Sequence, residues 1–572
     1  MRSMSFRYWI VLSSVFLASC ATQQASVQTV RAPAEPKAVA AQQPADGDVF
    51  YRILVGEMAG RMGALDTASG AYVDAAFETD DPQVAERATH ISLYGRQYKQ
   101  ALTAATRWEA LSPDNQEVRQ ILATLHARLG NIDESVDYFQ GIIEETRDHS
   151  GGGYALAGSL LAQEIPPQNS LAVMERLVAD QPNDFTAQYT YAALAFKWKD
   201  YPRALNAASK ALEIQPGEHQ ARLLRNQAWL ELGESDRALD DVALMIKAKP
   251  DDTDLRLAYA QMLVKAKRYE LARKQFEYVA NKQPNNADLL YTLGLLNIEI
   301  QHYDDATIYL QRVLKLGKHV VDSSFYLGRI AENRGLYQDA ISWYIRVTEG
   351  QYVIEAQLRI AVMLAKLGYM DKAREHLARM RLELDTADQQ IDLYLMEGSL
   401  LEEVRAYDDG LSLYNHALEN YPGHVDLVYA RAMLYEKMDR IDLMEKDLRR
   451  ILDKDPNNAT ALNALGYTLA DRTDRYQEAL QYIQMALKER PDDPAVIDSM
   501  GWVQYRLGNL DAAERYLRKA NALLDDDEIA SHLGEVMWVR GNQQEALDLL
   551  QKALKKFPNS QKLKGLIRRI DQ

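Results

Sequence analysis

Cysteine occurs once in the 572 residues, at position 20. A lone thiol excludes an internal disulfide framework and a four-cysteine zinc site. Basic residues are in deficit, with 66 Lys and Arg against 82 Asp and Glu and a formal charge of −16. An acidic chain is a poor match to the phosphate backbone, so no nucleic-acid partner is expected. Phenylalanine is scarce at 10, while tyrosine reaches 32, an inversion that calls for a reason. The common catalytic signatures are missing as well: there is no His-Glu-x-x-His, no Gly-x-Ser-x-Gly and no phosphate-binding loop. Ten histidines are scattered without ligand spacing. The expectation is a protein that is not an enzyme, with no catalytic residues, no metal and no cofactor. What is present in quantity is apolar residue, 47% of the chain beside 26% charged, which is ample for a packed core.

The N-terminus reads as an address. Arg2 and Arg7 precede an apolar stretch from Tyr8 to Leu17, too short to span a bilayer as a mature helix. It ends in Leu17-Ala18-Ser19-Cys20, which resembles the bacterial lipobox. That resemblance implies removal of residues 1–19 and attachment of lipid at Cys20. About two or three acyl chains, palmitate among them, suffice for stable anchoring. Ala21 follows where an Asp would favour inner-membrane retention in enteric-type sorting, so the outer membrane, periplasmic face, is expected. Residues 20–47, rich in Ala, Gln and Pro, read as a lipidated flexible tether with a reach of roughly 30 Å.

From residue 48 to 560 a period of 33 to 35 residues recurs, interrupted once by the 37 between Ala361 and Gly398. A small residue (Gly56, Thr89, Ala123, Gly158, Ala192, Asn226, Ala260, Gly294, Gly328, Ala361, Gly398, Ala432, Gly466, Gly501, Gly534) is followed twelve positions later by another, such as Ala68, Ser135, Ala204, Ala340 or Ala546. Small residues on two antiparallel helices let their axes approach. A large apolar residue four positions beyond the second site, such as Phe139, Leu310 or Tyr344, with a further small or apolar one at seven, marks the buried face of the second helix. Nine of the 17 prolines, Pro250 and Pro456 among them, fall at one repeat position, ending a helix. Asp252 and Asn458, just beyond, are placed to cap the next. Three irregularities stand out: Gly151-Gly152-Gly153, expected to loosen the stack; proline-free junctions at Gly317-Lys318-His319 and Glu349-Gly350-Gln351; and three extra residues near Asp385–Gln390, expected to flex. Asp525-Asp526-Asp527-Glu528 reads as a solvated helix start rather than a cation site.

This pattern resembles the tetratricopeptide repeat (TPR) family. The resemblance implies an all-α superhelical solenoid of about fifteen helix-turn-helix repeats, those around Thr89, Ser135 and Met444 degenerate, with residues 561–572 as a C-terminal capping helix. It also implies a concave, partner-binding face lined by the first helix of each pair. In that register fall Tyr189, Tyr291, Phe325 and Tyr429; His90, Arg329, Tyr467 and Trp502; and Phe196, Lys197, Lys265, Lys366, Tyr505, Arg506 and Trp538. Aromatic side chains there suit protein recognition because they bury large area at low entropic cost. The competing reading is that each packs between repeats.

A narrower likeness rests on Leu469-Ala470-Asp471-Arg472, the extra residue between Gly466 and Ala479, and Asp498-Ser499-Met500-Gly501-Trp502. These segments look like a family of long proteobacterial TPR lipoproteins. That likeness implies an outer-membrane adaptor that binds a periplasmic carboxy-terminal processing serine protease and presents peptidoglycan cross-link hydrolases to it. The alternative is a TPR lipoprotein scaffold for assembly of an outer-membrane export system for polysaccharide or pili.

Overall fold

The structure is a computed structural model that describes residues 47–146 and 152–570. Cys20, the lipobox and the tether therefore lie outside the described residues, as does Gly151. The described residues form 31 helices and no strand. None of those helices is long and apolar enough to cross a membrane. The chain divides into two compact units, residues 1–267 and 268–572. The first holds the helices from Gly47–Arg61 to Thr253–Lys265, and the second those from Tyr269–Lys282 to Gln561–Ile570.

One pair in the second unit shows how the sequence builds the motif. Asp493 accepts a hydrogen bond from the Ala495 amide at 2.9 Å and starts the helix Pro494–Arg506, whose first position takes the proline without loss of a hydrogen bond. Gly508 then adopts φ +82°, and the partner helix Leu510–Leu523 returns antiparallel. The same left-handed turn stands seven positions after the first small residue in most pairs. It is taken by glycine at Gly63, Gly130 and Gly541, and by Arg96, Lys199 and Asp439 elsewhere. Asp252 and Asn458 cap as their spacing predicts, accepting from the Leu255 and Ala461 amides at 2.9 and 3.1 Å.

In most pairs whose first small residue is glycine, that residue lies under the large side chain of the second helix; Gly158 instead faces Thr190 of the next pair. A Cβ on Gly501 would stand 2.6 Å from Leu517 Cγ, and one on Gly534 2.7 Å from Leu550 Cγ. At Gly56, Gly328 and Gly398 the overlying residue is Tyr72, Tyr344 and Tyr414. The Tyr72 and Tyr344 hydroxyls emerge beyond the glycine and donate to Glu57 at 2.5 Å and Glu332 at 2.8 Å. Phenylalanine would fill the same space but remove one donor from each carboxylate, leaving Glu57 to Arg87 and Glu332 to Arg359, which accounts for part of the tyrosine excess. The inserted residue beyond Gly466 shifts the contact by one position, to Ile483.

The weakly patterned repeats are complete here. The Thr89 hydroxyl donates to the Ala85 carbonyl at 2.8 Å, and Ser135, fully buried, donates across the pair to the Ala123 carbonyl at 2.8 Å. A small hydroxyl thus replaces alanine without leaving a buried donor unpaired. Met444 is buried where the facing residue, Ala432, is small.

Two expectations need correction. Gly152 and Gly153 are not a loose linker; they open the helix Gly152–Leu161. A Cβ at Gly153 would stand 2.7 Å from the Ile143 backbone, so glycine there permits close packing. The extra residues near Asp385–Gln390 are not all loop either: residues 384–386 form the junction, and from Ala387 on they lengthen the helix Ala387–Glu403 to 17 residues, where Thr386 caps the Gln389 amide. The proline-free junctions turn through left-handed residues instead, Gly317 and His319 at φ +69° and +45°, and Gly350 at +83°.

The two glycine environments predict opposite signs. Gly466→Ala places a Cβ 2.6 Å from Ile483 and 3.0 Å from the Ala479 carbonyl, and should cost about 1–3 kcal/mol. Gly141→Ala, in a helix with nothing within 4 Å, should gain about 0.4–1 kcal/mol. Urea unfolding of both variants against the parent checks the register; a stabilised Gly466→Ala would contradict it.

Candidate protein-binding surface

In the first unit, Tyr189 is half-buried and stacks on Phe185 with centroids 5.8 Å apart, and Phe196 meets Tyr201 edge-on at 5.5 Å. Lys197 is exposed; its ammonium lies 5.5 Å from the Trp198 ring and donates to the Ala162 carbonyl. His90 packs edge-on against Trp108 at 5.8 Å, and Lys265 pairs with Glu231. Lys197 and Lys265 reach the preceding pair, while Phe196 with Tyr201 and His90 with Trp108 meet within one pair.

In the second unit, Tyr291 stacks on His319 at 4.5 Å, which holds the proline-free junction against the preceding helix. Phe325 is not a surface residue. It is 1% exposed and stacks on Tyr352 at 4.3 Å, because its position on the helix Val320–Asn333 faces the next pair. Arg329 covers the Tyr326 ring at 6.0 Å, and Lys366 the Tyr337 ring at 5.3 Å. Tyr429 is half-buried. Trp538 is half-buried against Ala513, Leu517 and Leu533.

The remaining four candidates converge. Trp502, on the helix Pro494–Arg506, is 7% exposed, so its ring is committed within the chain and not offered to a partner. It stacks on His532 at 4.2 Å, meets Tyr505 at 5.1 Å and donates to Asp471 at 3.2 Å. Tyr467 reaches past its neighbouring pair, donating to Glu528 at 2.9 Å, with its hydroxyl 3.5 Å from His532 Nε2. Tyr505 donates to Glu535 at 3.3 Å. Arg506 lies over the Tyr476 ring at 4.9 Å and donates to that hydroxyl at 2.7 Å.

At the centre of this group sits a buried ion pair. His532 Nδ1 lies 3.0 Å from Asp498, and both side chains are nearly inaccessible. Burial alone would push the imidazole down, but the Asp498 carboxylate, aided by Glu528, outweighs it and raises it above its ordinary value. Burial likewise opposes charge on Glu528, yet Lys562, His532 and Tyr467 hold that carboxyl below its usual range. Burial, then the Glu528 charge, pushes the Tyr467 hydroxyl far up, so it acts as a donor. No group here is an exposed nucleophile, and the cluster joins the helices Ala459–Arg472, Pro494–Arg506, Asp527–Val539 and Gln561–Ile570 rather than opening a cavity. The acidic run is spent on structure: Asp526 caps Glu528 and Ile529, Asp525 pairs with Lys556, and Glu528 with Lys562. Among the described residues no group of His, Cys, Asp and Glu is arranged to hold a metal ion.

An open groove lies instead in the first unit. It measures about 550 Å³ and is lined from the helices Pro82–Tyr94, Gln116–Leu129 and Gly152–Leu161 and the turns after them. Tyr94, 78% exposed, stands at its edge beside Arg96. Arg128 covers the Tyr98 ring at 4.4 Å, donates to its hydroxyl at 2.6 Å and lies 3.8 Å from Glu164. An exposed aromatic beside forked guanidinium and carboxylate groups suits a polypeptide, whose side chains and backbone supply both apolar and polar contacts. Tyr94 stands five positions after Thr89, in the register used to choose Arg506 and Lys366, and that spacing was its available signal. Asp498 lay within the quoted Asp-Ser-Met-Gly-Trp segment, yet nothing in the pattern pairs it with His532.

Comparison with known proteins now decides the family. The tetratricopeptide repeat model matches residues 199–253, 291–351, 429–494 and 499–561. The TPR repeat-containing protein PA4667 of Pseudomonas aeruginosa is 35% identical over 496 residues, 85% of this chain and 82% of the relative. The chain belongs to the tetratricopeptide repeat family. The TPR repeat-containing protein YpiA of Bacillus subtilis is 21% identical over 411 residues, 70% of this chain and 94% of YpiA. Among solved structures, the Cut9–Hcn1 hetero-tetramer of the APC/C is 15% identical with a TM-score of 0.33, covering 92% of this chain and 97% of the other. As a TPR protein the chain is a protein-interaction scaffold.

The His532 assignment has a pH signature. A raised imidazole adds stability that is fully present below about pH 6.5, the unfolded value, and is lost as pH rises through the folded one. The urea midpoint of the parent should therefore fall relative to that of His532→Gln as pH is raised from 6 to 8 (about two pH units around the histidine range). Parallel profiles for the two proteins would contradict the buried pair.

Proposed function

We propose that this TPR protein is a non-catalytic adaptor, anchored by lipid at Cys20 to the periplasmic face of the outer membrane. It holds a periplasmic carboxy-terminal processing serine protease close to its substrates, the peptidoglycan cross-link hydrolases. The observation that carries the reading is the combination in the first unit of a groove of about 550 Å³ with an exposed aromatic edge. The protease assignment rests on the likeness of the chain as a whole, a lipobox followed by an acidic solenoid of this length, to LbcA, the lipoprotein adaptor of the protease CtpA. Physically, such an adaptor works by effective concentration: two partners held on one leashed scaffold meet far more often than in free solution.

Purified residues 48–572, immobilised and exposed to periplasmic extract, should retain a serine protease and a cell-wall hydrolase. Tyr94→Ala with Arg96→Ala should weaken capture without changing helix content. Recovery of a β-barrel or secretin in place of a protease would transfer the assignment to export-system assembly. Cys20→Ala should leave the fold intact and move the protein from the membrane to the soluble fraction; continued membrane retention would refute the anchor.

A further inference from the structure

The second helices of the repeats run 13 or 14 residues with one exception. Tyr337–Tyr344 stops after 8, whereas the following second helix, Met370–Glu383, runs 14. About one and a half turns are missing. In their place the chain turns at Ile345 and Arg346, sends Val347 into the core and leaves through Gly350 at φ +83°.

The shortened helix leaves a groove of about 470 Å³ between itself and Met370–Glu383, with Val353–Lys366 beneath. Its floor is apolar: Ile341 and Ile360 are buried, Leu364 is half-buried, and Ile345 stands 58% exposed at the mouth. His376 is fixed in the wall by a 3.0 Å hydrogen bond to the Gln357 carbonyl. The rim on the Met370–Glu383 side carries Lys372, Glu375 and Arg379, all exposed. Lys372 makes no ion pair among the described residues; its ammonium rests 5.0 Å from the Tyr369 ring. Arg379 approaches Glu375 only to 3.9 Å. The rim is therefore net positive on a chain whose formal charge is −16.

We infer that this groove docks an amphipathic helix supplied by a partner protein. The incoming helix lies beside the shortened one, sets its apolar edge on Ile341, Ile345, Ile360 and Leu364, and places an acidic side chain against Lys372. Three observations select this occupant. The groove borders a second helix about one and a half turns shorter than the others. An exposed isoleucine over an apolar floor gives an edge of helix the anchor contacts it needs. The rim charge complements an acidic flank and disfavours a basic one. The groove lies in the second unit and shares no residue with the groove around Tyr94 in the first. The inference is independent of which protease or hydrolase the scaffold serves.

The test uses the purified protein and two synthetic helical peptides that share one leucine-bearing edge, flanked by glutamates in one and lysines in the other. Fluorescence anisotropy should show the glutamate peptide binding at least about tenfold more tightly than the lysine peptide. Ile345→Asp, an exposed position expected to fold, should weaken it by about tenfold or more at unchanged circular dichroism. Lys372→Glu combined with Arg379→Glu should invert the preference between the peptides. Equal binding of the two, binding of neither, or indifference to Ile345→Asp would overturn the proposal. Failure of the protease pull-down leaves these outcomes untouched, and their failure leaves the adaptor reading untouched.

Discussion

The helix pairs of this protein depend on close approach, seen most plainly where a glycine on the first helix lies directly beneath a large side chain on the second. Gly501 under Leu517, Gly534 under Leu550 and Gly466 under Ile483 leave no room for a methyl group. Helices cross at preferred angles only when their ridges can enter the facing grooves, and a bulky residue at the crossing would hold them apart. Everything else follows from keeping that contact. The left-handed turn after the first helix returns the second one over it, and the caps set where each helix begins. The one-residue insertion beyond Gly466 survives because the overlying residue slips by one position to match it.

The same contact explains a compositional oddity. A tyrosine over a glycine passes its ring across the first helix and delivers a hydroxyl to the polar edge beyond. Tyr72 and Tyr344 meet Glu57 and Glu332 there, and burial with those carboxylates pushes both phenols above their ordinary range. Other tyrosines serve junctions between pairs, as Tyr352 does under Phe325 and Tyr291 beside His319. An acidic solenoid gains from such residues: each tyrosine gives a carboxylate a donor without adding a charge.

The repeat architecture could be read from the sequence because its signal is redundant. A register seen at Gly294 and Ala306 is tested again at Gly328 and Ala340, so weak repeats borrow certainty from strong ones. The misreadings fall where a residue's meaning depends on its partner. Glycines at 152 and 153 suggest slack by composition, yet Gly153 is required by the nearness of Ile143. Extra residues at 385–390 suggest a flexing segment, yet those beyond Thr386 lie in the helix that it caps. The surface residues were less readable still. A register position on the first helix identifies a face, but whether the side chain there is free depends on what the next repeat brings. Phe325 and Trp502 are consumed by Tyr352 and His532. Tyr94, in an equivalent register, stays open because the following helices contribute the walls of a groove and not its filling.

The reach of Tyr467 has an energetic consequence. In a stacked array each repeat touches only its neighbours, so stability behaves as a chain of local terms and the end is free to fray one unit at a time. Tyr467 bonds to Glu528, 61 residues further along, while Glu528 is itself tied to Lys562 on the last helix. That adds a second-neighbour coupling to a nearest-neighbour system. Opening the final helix frees the carboxylate that Tyr467 holds, and losing Tyr467 unsettles the terminus two repeats away. The C-terminal repeats are thereby joined into one cooperative block, whose amides should exchange at a common rate in place of a gradient toward the end.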